Sequence, residues 1–295
     1  MCCKWSGATP KPFSTGWGGM SFVDSILSQS SYDYIDLSKR IVYHVSHNRS
    51  HDTTHMGKLN NLYARVPPGS PVTSEELAGL GVSADLAVHY VRAGWLTRLA
   101  RGVFSRPDVP LDLHRSLRLL ERRFRGLHVG GKSALDWHGV RHNVEQQPRL
   151  MLYGWASGPL PSWFNDRFPS RYRRLRLFDE QPEALLRVSS FQRQVDGPLV
   201  SEPERAALEL LSEVGVSQPL QEARDLLEAA PSLRAAVLQD LLTRCKQVKT
   251  VRLCLTLGRE LDLPWAAKLD PKLLPTGSAQ RWVGRSTEGL LVLKG

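Results

Sequence analysis

Apolar and polar positions fall into a regular pattern only from Met56 onward. In LNNLYARVP, Leu59, Leu62, Tyr63 and Val66 recur at helical spacing, and Pro67, Pro68 and Gly69 predict where that helix stops. PVTSEELAGLG follows, with Thr73 and Ser74 as caps, Glu76 three residues beyond Thr73 to close a capping box, and Gly79 and Gly81 ending a short helix. VSADLAVHYVRAG predicts a third helix, capped by Ser83, with Asp85 at its positive end and Gly94 past its last turn. Its Ala87, Tyr90 and Val91 should face a core, leaving Ala84, Asp85, Val88, His89 and Arg92 outside. WLTRLARGVFSRP then reads as two short strands, with Leu96, Leu99, Val103 and Phe104 apolar and a turn near Arg101 and Gly102.

Further along, LHRSLRLLERRFR spaces Leu113, Leu117, Leu120 and Phe124 as one helix face with arginines elsewhere. RLMLYG reads as a strand, and YRRLRLF alternates apolar residues with Arg173, Arg174 and Arg176 like a half-buried one; ALLRVSSF and GPLVSE continue the β character. SEPERAALELLSEVG opens a helix with Ser201 as cap, Pro203 in the first turn, Glu202 and Glu204 at the positive end, and Ala207, Leu208 and Leu211 inward. Helical patterns return in EARDLLEAA, LRAAVLQDLLTRC and VKTVRLCLTLGRELD, and WVG and LLVLK close the chain as short strands.

The expected fold class is therefore α+β: a winged helix-turn-helix domain over residues 56–110, a connecting helix over 111–130, and a mixed α/β domain with a small sheet and several helices over 131–295. Residues 1–55 are rich in Ser and Gly without sustained period, and are expected to be disordered, with Met56 as the native start and the preceding stretch read through from upstream. That stretch carries His44, His47, His51 and His55 at spacings of 3, 4 and 4, which on a helix would form a metal-binding stripe; an upstream or solvated tail accounts for them more simply, and no metal or other cofactor is expected.

With 41% apolar residues among 295, the chain can build cores of its own. No run approaches the roughly 18 apolar residues of a membrane span, and no signal-type segment opens it, so the expected compartment is the cytoplasm. Cys2, Cys3, Cys245 and Cys254 show no metal or redox spacing, and the last two sit in apolar helical sequence as buried thiols.

GLHVGGKS, residues 126–133, matches a phosphate-binding loop. Such a loop needs a buried strand before its first glycine, yet a helical segment stands there, and LHV inside the motif is itself the strand. The expectation is a strand-to-helix turn in which Ala134, Leu135 and Trp137 pack inward. Glu202 and Glu204 are too poorly opposed on a helix for acid/base work, and no hydrolase or metalloenzyme motif appears, so no catalysis is expected.

Net charge is +10, unevenly spread: +5 over 56–130, +3 over 131–180, −5 over 181–230 and +6 over 231–295. Two basic ends about an acidic waist imply a polyanion, and a helix-turn-helix with a flanking wing implies double-stranded DNA rather than a membrane. The candidate DNA-binding residues are Thr73, Ser74, Ser83, Ala84, Asp85, Val88, His89, Arg92, Arg98, Arg101 and Arg106. A second candidate basic face runs along the late helix and the turn after it: Lys246, Lys249, Arg252, Arg259 and Arg281, with an ordinary solvated helix face as the simpler alternative.

TSEELAGLGVSADLAVHYVRAGWLTRLARGVFSRP resembles the amino-terminal domain of AbiEi-type antitoxins of bacterial type IV toxin–antitoxin systems, GWLTRLARGVF most tellingly. GGKSALDWHGVRH, SEPERAALELL, VKTVRLCLTLGRELDLPW, KLD and LPTGSAQRW resemble later parts of the same family, so the likeness covers roughly residues 56–295. The resemblance implies an antitoxin that represses its own operon through operator DNA and counters a nucleotidyltransferase-like toxin, with residues 131–295 as the neutralising domain. The competing expectation is a stand-alone winged-helix regulator with a ligand- or partner-sensing second domain.

Overall fold

The structure, a computed structural model, describes residues 52–141, 149–278, 280, 282–286 and 289–293, the first four of them and most of those past 280 by backbone alone. The chain divides into two compact units, Met1–His55 and Met56–Gly295. His44, His47 and His51, with the His55 side chain, Cys2 and Cys3, lie outside what is described.

Helix α1 (Asp52–Arg65) ends where Pro67 and Pro68 can supply no donor, and the chain turns at Gly69. That glycine is required: its φ is +77°, and a Cβ there would stand 2.8 Å from the Pro110 carbonyl oxygen. β1 (Val72–Thr73) leads into α2 (Ser74–Gly79) through a complete capping box, in which Thr73 Oγ1 accepts from Glu76 N at 3.1 Å and Glu76 Oε2 accepts from Thr73 N at 2.8 Å. The Ser83 hydroxyl caps α3 (Ala84–Arg92).

β2 (Thr97–Ala100) and β3 (Val103–Ser105) form the wing around Gly102 at φ +72°, and β1 pairs with the other edge of β3, giving the order β1-β3-β2. Leu59, Leu62, Leu77, Leu86, Ala87, Tyr90 and Phe104 close one apolar cluster beneath these elements. Val103 belongs to the other, larger cluster, so both faces of β3 are covered.

That larger cluster begins with α4 (Leu113–Arg123), capped by Asp112, whose Leu117, Leu119 and Leu120 are buried in it. Five strands make a mixed sheet in the order β6-β5-β4-β8-β7: β4 (His128–Val129), β5 (Leu150–Gly154), β6 (Ser170–Arg174), β7 (Val188–Ser190) and β8 (Leu199–Ser201). β4 runs parallel to β8 and antiparallel to β5. β6 stops at Arg174, so Arg176 lies past the strand in which its alternation had placed it; its guanidinium stacks on the Trp155 ring.

Between β4 and β5 lies α5 (Gly131–Trp137); the short α6 (Ser162–Asn165) follows β5. α7 (Pro203–Glu213) runs through the core with every residue from Glu204 to Glu213 buried. Its N-cap is Glu202; Ser201 belongs to β8 instead of capping the helix, because its hydroxyl turns inward to Glu209. α8 (Leu220–Glu228), α9 (Ala235–Thr243) and α10 (Val248–Glu260) pack around it. Gly258 lets α10 approach closely, since a Cβ there would be 2.8 Å from the Trp265 ring. β9 (Trp282–Ser286) and β10 (Gly289–Leu293) pair antiparallel.

Candidate nucleic-acid interface

Leu86, Ala87 and Tyr90 anchor α3 in the smaller core, and this orients everything else on it. Ala84, Val88 and Arg92, spaced by four, form an exposed stripe, with Asp85 and His89 exposed beside it. The His89 ring meets Trp95 edge-on at 5.9 Å. On the wing Arg98 and Arg101 are exposed. Arg106 is only half-exposed, its guanidinium 4.3 Å over the Tyr63 ring, which fastens the segment leaving the wing to α1.

A hollow of about 560 Å³ between α2, α3 and the wing brings together Ser74, Ser83, Ala84, Val88, Arg92, Arg98 and Arg101. Thr73, Asp85, His89 and Arg106 do not line it. Three guanidiniums from two separate elements thus border one concave surface, an arrangement that attracts a polyanion.

The winged helix is tied to the rest of its unit through α4. Arg122 ion-pairs with Glu76, the glutamate of the capping box; Arg115 donates to the Pro68 carbonyl; and Asp112 N donates to the Gly69 carbonyl at 2.9 Å. The same helix buries its leucines in the larger core, so α3 and the wing are held against a rigid support.

GLHVGGKS forms β4, a turn and α5. Gly130 precedes α5 and Gly131, at φ +52°, starts it, while Ala134 and Leu135 are buried and Trp137 packs against the same core. At the amino end of α5, where a phosphate would sit in a nucleotide-binding loop, stands the Glu209 carboxylate. Its Oε2 accepts from Gly131 N at 3.0 Å and from the Ser201 hydroxyl at 2.8 Å; its Oε1 lies 2.8 Å from His128 Nε2 and 2.7 Å from Arg205 Nε. Arg205 in turn holds Glu180 by two nitrogens, at 2.7 and 2.9 Å, and the Leu186 carbonyl. Burial alone would raise the Glu209 pKa, but His128 and Arg205 outweigh it and hold the carboxyl at about 2. Lys132, the lysine of the motif, pairs with Glu222.

Sequence reasoning missed this network, whose members lie up to 81 residues apart. The available signal was Glu209 itself, a carboxylate set among Leu208, Leu210 and Leu211.

Among the described residues, the candidate second basic face does not come together. Lys249 turns inward and donates to the Ser212 and Val214 carbonyls at 2.7 and 2.9 Å, and burial lowers its pKa. Arg252 is 4% exposed, its guanidinium donating to the carbonyls of Thr276, Ser278 and Gln280. Both satisfy backbone acceptors at the ends of other segments, which a helix buried on nearly every side allows and a solvated one would not. Lys246 is exposed and pairs with Asp179 at 2.9 Å, Arg259 is exposed, and Arg281 lies outside the described residues. Glu202 and Glu204 also depart from expectation: they do not point apart but converge on Arg234, which bonds both at 2.7 and 2.8 Å, because Glu202 is the extended cap rather than a helical residue.

Cys245 and Cys254 are free and buried, and burial pushes their thiols up to about 11 and about 12. Among the described residues, no three His, Cys, Asp or Glu side chains cluster as a metal site, and no helix is long and apolar enough to cross a membrane.

Two family models match this chain. One, described as a transcriptional regulator, AbiEi antitoxin N-terminal domain, covers residues 55–146; the other, a transcriptional regulator, AbiEi antitoxin, type IV TA system, covers 147–294. Their junction falls after α5, whereas the expected boundary of 130/131 falls before it. No curated protein matches. Among solved structures, the RV2827C protein from Mycobacterium tuberculosis is similar in fold: 16% identity, a TM-score of 0.50, and 78% of this chain and 89% of that one covered.

Proposed function

The chain belongs to the AbiEi antitoxin family of type IV toxin–antitoxin systems, a family of transcriptional regulators rather than enzymes, and from that premise we propose that it represses its own operon by docking α3 in the major groove of operator DNA. Arg98 and Arg101 of the wing bind phosphates beside that groove, and Arg92 binds one at the end of the helix. The observation that carries this reading is the convergence of Arg92, Arg98 and Arg101 around one hollow beside the outward face of α3. The remainder of the chain, from residue 131 onward, counters a nucleotidyltransferase-like toxin encoded beside it, in the cytoplasm.

The test is the salt dependence of operator binding by the full chain and by Arg98→Ala and Arg101→Ala. Each lost phosphate contact should lower the slope of log K against log salt by about 0.9, with toxin neutralisation in cells unchanged. Equal slopes for all three proteins would refute the docking; loss of neutralisation would refute the division of labour.

A further inference from the structure

We propose that α3 reads thymine by its 5-methyl group, through Val88 and Ala84; this rests on the groove-docking reading above. Five large apolar side chains stand exposed among the described residues, and Val88, 45% exposed, is the one on α3. It sits one turn after Ala84 and one before Arg92 on the same stripe. Beneath them the hollow has an apolar floor that includes Ala87, Val91 and Phe104, and a rim of Arg92, Arg98 and Arg101.

A partner that fits has small apolar points framed by anions. Thymine in a duplex supplies both, since its methyl projects into the major groove between flanking phosphates. Spacing agrees: four helical residues rise about 6 Å, close to the roughly 7 Å of two base steps. Asp85, exposed beside Ala84, repels phosphate and accepts from a base amino group, which favours base edges over backbone along this face. The bound site therefore carries methyl-bearing pyrimidines two steps apart under Ala84 and Val88.

The experiment enriches duplexes from a random pool with the full-length protein, then remakes the enriched duplex with uracil at each thymine in turn, which removes a methyl and leaves every hydrogen-bonding edge in place. At two positions, two steps apart, uracil should weaken binding about fourfold. Val88→Ala should abolish the response at one of them. Enriched duplexes indifferent to uracil everywhere would overturn the inference and leave operator docking standing. Enrichment of no duplex, or preferential binding of an acidic polyglutamate peptide to the hollow, would overturn both.

Discussion

The backbone N–H of Gly131 donates to the Glu209 carboxylate across 3.0 Å, 78 residues away in the chain. An internal anion thus occupies the helix end that the Gly-Lys-Ser pattern would offer to a phosphate. The packing of the segment gives this motif a place in the fold.

Glu209→Gln should destabilise the protein by about 3 kcal/mol, because His128 would lose its buried anionic partner and Arg205 one of the two carboxylates it faces. Urea unfolding followed by tryptophan fluorescence measures it. A change under about 0.5 kcal/mol would show the network to be dispensable.

The same carboxyl predicts an acid limb. Its folded pKa is held at about 2, below the ordinary carboxylate range, so its contribution is fully present above about pH 4.5 and is lost as pH falls toward 2. Glu204 acts in the same sense: burial opposes the shift, but the bonds from Arg234 lower its pKa. Glu121, raised by burial, offsets part of this. Urea midpoints should therefore fall from about pH 4.5 toward pH 2, and the fall should be shallower in Glu209→Gln.

Gly130→Ala should cost about 2 kcal/mol or more, since its Cβ would lie 2.2 Å from Glu209 Oε2 and 2.6 Å from the Tyr153 ring. Lys132→Ala removes a pair with Glu222 in which each side chain is about a quarter exposed, and should cost under about 1 kcal/mol. The opposite ranking in thermal unfolding would contradict the packing role of the glycines.

Arg252→Met should cost about 2 kcal/mol and open the segment 276–280 to protease, because three backbone carbonyls lose a charged donor. The salt slope of DNA binding should stay unchanged. A lowered slope would return Arg252 to a phosphate-contacting surface.

Local signals carried the winged helix. The Thr73–Glu76 capping box, the Ser83 cap, and the glycines at 69, 81, 94 and 102, all at positive φ, are short-range requirements legible in any window of a few residues. The inward and outward faces of α3 followed from helical period alone, as did Ala134 and Leu135 of α5. Strand limits were less legible, since Tyr172 to Phe178 alternates throughout but only its first part finds a partner in β5.

The sequence by itself determined most helix ends and which side of α3 meets a core, because caps, breakers and period act within a turn or two; it missed that α1 begins at Asp52, inside the stretch expected to be disordered, and that α7 is capped at Glu202 rather than Ser201. Only the tertiary structure decided what polar side chains on buried helices do. Periodicity tells which way a charge points from its own helix axis, and nothing of what waits there. Lys249 and Arg252 on α10 meet carbonyls, and Arg205 and Glu209 on α7 meet each other, Glu180 and His128, so charges that a helical wheel assigns to solvent are satisfied inside. Those partners are brought by folding from distant segments, which no local pattern encodes.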